Sequence, residues 1–243
     1  MASKIYVGTS GWHYKHWLGL FYPEKIRARE MLAFYARQFN TVEINNSFYH
    51  LPLSSTFDSW RKSSPKDFLF AVKGNRFTTH MKKLKDPVTS TQKFFAGVER
   101  LGRKLGPILF QLPPRWKLNK ERLRRFLAAL PREHKYVFEF RDETWLVDEV
   151  YELLHKYNAA FCIHDLARMQ TPLQVTAGFT YIRFHGPGAA SYQGSYSIQV
   201  LRMWADRICN WRRDLSAVYV YFNNDVSGKA IENARTLKQM IDG

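Results

Sequence analysis

The stretch TVEINNSFYHLP, residues 41–52, decides how the rest of the chain is interpreted. It begins with β-branched residues and ends at a proline, so its first half is predicted to be a strand. Side chains alternate across a strand, which puts Val42 and Ile44 on one face and Glu43 and Asn45 on the other. An apolar face opposite a carboxylate and an amide indicates a strand that packs on helices and ends in a polar pocket.

Strands of this kind recur along the chain, and helical periodicity fills nearly every gap between them. Eight strands are predicted, at residues 5–8, from residue 41, and at 68–73, 108–112, 136–140, 160–164, 180–184 and 217–222. Helices are predicted at residues 29–39, 55–62, 91–105, from 119, and at 147–157, 197–213 and 229–241. The link 165–179 is the exception, because it is short and irregular.

Strands that alternate with helices imply parallel pairing through crossovers. Eight such units in 243 residues match the size of an α/β fold of the (β/α)8 TIM-barrel type, so one domain over residues 1–243 is predicted. An open doubly wound sheet is the alternative. It usually carries a glycine-rich phosphate loop after its first strand, and GTSGW at 8–12 does not match that pattern.

Composition limits the classes of partner and location. The net charge of +16 favours a polyanionic partner, either nucleic acid or an anionic small molecule, although a basic surface alone would give the same value. The two cysteines, Cys162 and Cys209, have no metal-ligand spacing and are predicted to be buried thiols of a reducing compartment. No apolar run resembles a signal peptide or a membrane span, so a cytoplasmic protein without membrane association is predicted.

Polar side chains fall on the inward faces of the predicted barrel strands, near the carboxyl ends where TIM-barrel active sites lie. They are Glu43, Asn45, Lys73, Gln111, Glu139, Arg141, Arg183, His185, Tyr219, Tyr221 and Asn223. In the sixth strand either His164 or Asp165 could face inward. One interpretation is a layer of buried ion pairs, since buried charges need partners. The other is a functional site, because branched apolar residues suffice to fill a barrel.

These residues also resemble a known family, the YecE-like proteins, also called domain of unknown function seventy-two. The resemblance is carried by GTSGW (8–12), FNTVEINNSFYHLP (39–52), FAVKGNRFTTH (70–80), LGPILFQLPP (105–114), EFRDETW (139–145), RFHG (183–186) and YFNND (221–225). It implies a TIM-barrel-like fold without an established activity. It also implies a loose similarity to metal-dependent barrels of the endonuclease-four and sugar-isomerase types, and nucleic-acid binding.

The first functional hypothesis is an enzyme that acts on a phosphate-bearing substrate, with a phosphoester hydrolase as the favoured type. The residues predicted to hold phosphate are Lys73, Arg76, Arg141 and Arg183, since guanidinium forks suit it. The catalytic candidates are Glu43, Glu139, His185 and Asp165. The remaining substrate contacts are predicted from Trp12, Asn45, Tyr49, Gln111 and Asn223, and from Tyr192 and Tyr196 of a lid at residues 186–196.

Cofactor identity is left open. A divalent metal could use Glu43, Glu139, Asp165, His185 or Asp225, which are suitable ligand types. One cation at about 6 Å, with an effective dielectric of about 20, would repel that ion by roughly 5 kcal/mol. Several cations stand nearby in the predicted site, so no metal ligands are assigned.

Two further hypotheses belong to other functional classes. A glycosidase or sugar isomerase would need a pair of working carboxyl groups, and Arg141 stands two residues from Glu139 on the same strand face, which lowers a carboxyl pKa. A non-catalytic nucleic-acid-binding protein would use the basic segments 74–85 and 100–125. The alternative for the second segment is the solvated face of an amphipathic helix.

Overall fold

All eight predicted barrel strands are present in the computed structural model, which describes residues 3–166, 169–188 and 191–243. The strands are β1 (Lys4–Thr9), β2 (Thr41–Ile44), β3 (Leu69–Lys73), β4 (Leu105–Gln111), β5 (Tyr136–Glu139), β6 (Ala160–Leu166), β7 (Met169–Gln170), β8 (Phe179–Phe184) and β9 (Ala217–Phe222). The short β7 was not predicted. It pairs antiparallel with the end of β6, so it adds a small hairpin outside the barrel.

The barrel strands follow the order β1-β9-β8-β6-β5-β4-β3-β2, and each neighbouring pair is parallel. A single parallel bridge between Ser10 and Glu43 joins the two end strands. The result is a nearly closed TIM-like barrel in one domain, as the alternation of elements predicted.

Helices cover the outside of the barrel. They are α1 (Ala28–Tyr35), α2 (Asn46–Tyr49), α3 (Ser54–Ser63), α4 (Pro87–Val98), α5 (Lys120–Ala129), α6 (Asp148–Lys156), α7 (Ile198–Trp211) and α8 (Lys229–Asp242). Short 3-10 turns occur at Lys15–Trp17, Glu99–Lys104, Glu143–Trp145 and Val226–Gly228, and a π-helix at Phe77–Met81. No helix in the described part of the chain is both long and apolar enough to cross a membrane. The cytoplasmic location stays a prediction.

Two predicted helices end earlier than expected. The helix expected over residues 29–39 ends at Tyr35. The helix expected over residues 91–105 ends at Val98, and a 3-10 segment with Gly102 at φ 55° follows it. Gly106 and Pro107, residues that often terminate helices, lie inside β4. A Cβ on Gly106 would stand 3.1 Å from the Phe70 carbonyl oxygen, beside the irregular register between β3 and β4. The close approach of β3 to β4 therefore explains why position 106 is a glycine.

The buried side chains form two separate groups, one on each face of the sheet. The larger group lies between strands and helices and contains the outward residues of β2, Val42 and Ile44. The smaller group lines the barrel interior and includes Leu109, Tyr181 and Tyr219. This separation confirms the alternation expected along each strand.

The seam between β1 and β2 is held by a side chain from α1. The buried Tyr35 hydroxyl accepts the Thr9 N–H at 2.8 Å and lies 3.2 Å from the Thr41 carbonyl oxygen, to which it can donate. The Tyr35 hydroxyl thereby replaces a backbone hydrogen bond between β1 and β2. Gly8 allows this approach, because a Cβ there would lie 2.3 Å from the Thr41 carbonyl oxygen.

A methyl group at Gly8 should therefore force the barrel seam apart. We expect Gly8→Ala to lower the free energy of unfolding by about 2 kcal/mol, which is typical of overpacking. Gly178→Ala is the matched control, because a Cβ there meets its nearest atom at 3.8 Å, an ordinary contact. Urea unfolding followed by circular dichroism measures both. Equal stability of the two variants would contradict the tight seam.

Candidate functional site

The candidate site begins with a buried cluster of charges at the carboxyl ends of the strands. Arg183 at the end of β8 is 1% exposed, and Glu43 on β2 and Glu139 on β5 are 0% exposed. Arg183 Nη2 donates to Glu43 Oε1 at 2.8 Å, and Nη1 donates to Glu139 Oε2 at 2.6 Å. One guanidinium thus bridges both carboxylates, which supplies the pairing that buried charges require.

Two hydroxyl groups complete the surroundings of Glu43. Tyr181 donates to Glu43 Oε2 at 2.6 Å, and Ser10 donates to Oε1. Ser10 also accepts from the Asn45 amide and, at 3.2 Å, from Arg183 Nη2. Sequence reasoning missed Ser10 and Tyr181. Alternation could have found Tyr181, because it stands two residues before Arg183 on the same face of β8.

Glu139 has an equally complete set of partners. Its Oε1 accepts from Nε of Arg141 and forms an ion pair with Nη2 of the same guanidinium, and Cys162 Sγ lies 3.7 Å from Oε2. Burial alone would raise the pKa of Glu139, but the charges of Arg141 and Arg183 outweigh it and hold the pKa well below its ordinary value. Glu139 is therefore ionised and cannot release a proton near neutral pH, as the position of Arg141 led us to expect.

His185 connects this cluster to the opening of the barrel. Arg141 Nη2 donates to His185 Nε2 at 3.0 Å, so Nε2 carries no proton and Nδ1 holds it. The Asn223 amide nitrogen lies 3.1 Å from Nδ1, so this amide is the hydrogen-bonding neighbour of the second ring nitrogen. Burial and the charges of Arg183 and Arg141 lower the pKa of His185 well below its ordinary value. The ring is neutral and serves as an acceptor for Arg141.

His164 settles the ambiguity of the sixth strand. Its side chain is 3% exposed, and its Nε2 donates to the Phe140 carbonyl oxygen at 3.0 Å. Asp165 instead accepts the His185 N–H at 2.8 Å and the Tyr196 hydroxyl proton. Asp165 therefore positions the backbone of β8.

Lys73, the last residue of β3, is the cation of this site that lacks a counter-ion. Among the described residues, no hydrogen-bond acceptor or carboxylate pairs with its Nζ, which lies 4.3 Å from the centre of the Phe48 ring. Burial and the charge of Arg183 lower the pKa of Lys73 to about 7. The ring attracts the ammonium by about 1 kcal/mol, less than one pKa unit. Neutral amine is therefore well populated at neutral pH.

The mouth of the barrel above this cluster is divided into two clefts. The first encloses about 680 Å³, and Arg115, Lys117, Arg141 and Gln111 contribute to its lining. The second encloses about 560 Å³, and its lining includes Asn45, Tyr49, Lys73, Arg183 and Asn223. Tyr192 lines both clefts. Its backbone N–H donates to the His185 carbonyl oxygen at 2.7 Å, and its ring packs edge-on against His185 at 5.5 Å.

The structure brings most of the predicted site residues together at this end of the barrel. Glu43, Glu139, Arg183 and His185 form its floor, and the two clefts above it include Asn45, Tyr49, Lys73, Gln111, Arg141, Tyr192 and Asn223 in their linings. These residues therefore converge at one end of the barrel, and their roles in a functional site stay predictions.

Other predicted site residues lie apart from the two clefts. Trp12 is 8% exposed and packs edge-on against Trp60 at 5.1 Å, in the layer outside the barrel. Arg76 is exposed and lines neither cleft. Tyr196 is 6% exposed and packs on Phe184 at 5.1 Å, so it is part of the core in this conformation. Two residues of the predicted lid, 189 and 190, lie outside the described residues.

The carboxylate oxygens at the barrel end are engaged by N–H and O–H donors, as described above for Glu43 and Glu139. In the part of the chain that the structure describes, the side chains close enough to share a metal ion are Glu99, Glu133 and His134. These residues precede β4 and β5 and lie at the opposite end of the barrel. They are largely exposed and do not belong to the site.

The sequence matches a known family over nearly its whole length. The family model described as protein of unknown function DUF72 matches residues 6–243. The UPF0759 protein YunF of Bacillus subtilis (strain 168) is 26% identical in an alignment of 270 positions, which covers 98% of this chain and 95% of that protein. The UPF0759 protein YecE of Escherichia coli (strain K12) is 30% identical over 138 residues, 56% of this chain and 48% of that protein.

A solved structure shares the whole architecture. The crystal structure of a DUF72 family protein from Thermotoga maritima MSB8 matches with a TM-score of 0.89 and 30% sequence identity. The match covers 99% of this chain and 100% of that chain. The nearly closed barrel is therefore shared over its full length.

Proposed function

This chain belongs to the DUF72 family of proteins of unknown function, and from that premise we propose that it is an enzyme acting on a phosphate-bearing substrate at the mouth of its barrel. The observation that carries this proposal is the state of Arg141. Glu139 and His185 hold two of its nitrogens, and no acceptor among the described residues takes the N–H groups of Nη1. A fixed guanidinium with free donors is suited to a phosphate.

The surroundings of Arg141 support this role. Arg115 and Lys117 line the same cleft, so two more cations can approach a phosphate bound there. Arg183 has a different role from the one the sequence suggested. Two of its nitrogens bind buried carboxylates, which makes it the support of the cluster. Phosphate recognition is therefore assigned to the Arg141 cleft.

We assign the acid and base roles to different groups from those of the first functional hypothesis. Glu43 and Glu139 accept hydrogen bonds on both of their oxygens, so they act as fixed counter-charges in this arrangement. Lys73 is the group in the mouth whose pKa, about 7, suits proton exchange at neutral pH. A glycosidase would need one protonated carboxyl group, and the depressed pKa of Glu139 argues against that reaction.

Sulfate, a divalent anion throughout the neutral range, tests the proposed phosphate cleft. We expect Arg141→Lys to weaken sulfate binding at least tenfold, because hydrogen bonds between charged groups contribute about 1.5–3 kcal/mol. Arg76→Lys is the matched control and should change the affinity less than twofold, since Arg76 lines neither cleft. Isothermal titration calorimetry measures both. Equal losses in the two variants, or none in Arg141→Lys, would refute the assignment.

Nucleic-acid binding without catalysis is the second candidate, and one contact favours it. Arg122 Nη1 at the start of α5 donates to the Lys83 carbonyl oxygen at 3.3 Å, which joins two basic segments into one surface. The same titration with a single-stranded oligonucleotide distinguishes the candidates. The basic surface would be favoured over the cleft if oligonucleotide binding depends on Lys83 and Arg122 and weakens as the salt concentration rises. The affinity should then be unchanged in Arg141→Lys.

A further inference from the structure

The amine of Lys73 is a reactive group that lies outside the proposed phosphate cleft. It ends β3 at the carboxyl side of the barrel and contributes to the lining of the 560 Å³ cleft. Its Nζ is held over the Phe48 ring and has no hydrogen-bond acceptor among the described residues. A lysine that is positioned but not paired is free to meet a ligand.

The charges around Lys73 explain why its neutral form is accessible. The nearby cations are Arg183 and Arg141, which oppose a further positive charge. The nearby carboxylates are Glu43 and Glu139, and their attraction for Lys73 is outweighed because Arg183 already bridges them. A lysine that is desolvated and placed beside other cations is an activated nucleophile.

We infer that Lys73 is a covalent catalytic residue that forms an imine with the carbonyl group of a phosphorylated aldehyde or ketone. This inference rests on the proposed function, since it takes the phosphate to bind at Arg141. Tyr192 lines both clefts, so they adjoin, and the charge of Arg141 acts on Lys73. A short phosphorylated substrate can therefore place its phosphate in one cleft and its carbonyl group in the other.

The covalent step is a balanced condensation. The lone pair of Nζ forms a C–N bond to the carbonyl carbon, and the π electrons of C=O move to oxygen. A proton passes from nitrogen to that oxygen, which gives a carbinolamine. Loss of the hydroxyl group as water, with the second N–H proton, leaves a C=N bond. Water in the open cleft can carry both protons, and no oxidant or reductant is required.

Reductive trapping with two matched probes tests the inference. The protein is incubated with glyceraldehyde 3-phosphate or with unphosphorylated glyceraldehyde, in the presence of sodium cyanoborohydride, and the modified lysines are quantified by peptide mass spectrometry. We expect Lys73 to react with the phosphorylated aldehyde at least ten times faster than Lys135. The rate should increase with pH, with a midpoint near 7, because the neutral amine is the nucleophile.

Lys135 is the internal control, since burial also lowers its pKa but it precedes β5 at the opposite end of the barrel. Equal labelling of the two lysines would overturn the inference, whatever the sulfate titration shows. In Arg141→Lys, Lys73 should keep its advantage over Lys135 with glyceraldehyde and lose its preference for the phosphorylated probe. Equal reaction of wild-type Lys73 with both probes would instead overturn the phosphate cleft, while still supporting Lys73 as a nucleophile.

Discussion

Replacement of Arg183 by Met is expected to lower the free energy of unfolding by about 4 kcal/mol, the typical result of removing one partner from a buried ion pair. The guanidinium is 1% exposed and bridges Glu43 and Glu139, which are themselves inaccessible to water. Without it, two carboxylates stay in the barrel with fewer partners. Urea unfolding followed by circular dichroism at pH 7 measures the loss.

Two further variants separate lost charge balance from lost packing. Arg202→Met changes an exposed arginine of α7 and should alter stability by less than about 0.5 kcal/mol. The double variant Arg183→Met, Glu43→Gln removes the carboxylate that is left without a cation, while Glu139 keeps its pairing with Arg141, and it should recover part of the lost stability. If the double variant is no more stable than Arg183→Met alone, the charge explanation is wrong.

Acid should begin to destabilise the folded protein at pH values above the range in which ordinary carboxylates titrate. Burial lowers the pKa of His164 from 6.5 to about 4. Between these values the unfolded chain binds a proton that the folded chain does not, so stability falls as pH decreases. A shift of about 2.5 units corresponds to about 3 kcal/mol between pH 7 and pH 4. His185, whose pKa is also lowered, acts in the same direction.

Carboxyl groups change this profile in both directions. The depressed pKa of Glu139 adds a further loss of stability below its ordinary value of 4.5. Burial raises the pKa values of Asp165 and Asp225, so their protonation opposes the loss. The decline that begins near pH 6.5 is assigned to the histidines with lowered pKa values, His164, His185 and the half-buried His80.

Unfolding free energies measured from pH 7 to pH 4.5 test this assignment. His164→Gln keeps an amide that can donate to the Phe140 carbonyl oxygen, and it should reduce the pH dependence. His155→Gln changes an exposed histidine on α6 and should leave the slope unchanged. An unaltered slope in His164→Gln would show that another group causes the acid loss.

The architecture could be predicted from local pattern because each strand carries its own evidence. Val42 and Ile44 alternate with Glu43, and the same rule sorts β3, β4, β5, β8 and β9 correctly. The helix expected over residues 91–105 ends at Val98, although its apolar spacing continues to Leu105. Gly106 and Pro107 are usual helix terminators, but here close packing between strands requires the glycine.

The residues of the site could be predicted in part. The predicted residues that lie apart from the two clefts do so for one shared reason. Trp12, Arg76 and Tyr196 were chosen by residue type and by their position near the strand ends. Their burial or exposure depends on neighbours from distant segments, such as Trp60 for Trp12 and Phe184 for Tyr196. Ser10 was overlooked because its partner Glu43 stands on another strand, across the barrel seam.

The sequence by itself determined the eight strands, the inward side of all of them except the sixth, and the gathering of charges at one end of the barrel. Only the tertiary structure decided how those charges pair. Arg183 reaches Glu43 and Glu139, which stand 140 and 44 residues away in the sequence, and within the described part of the chain Lys73 is left without a counter-ion. Alternation is a property of one strand, whereas an ion pair depends on the register and closure of several.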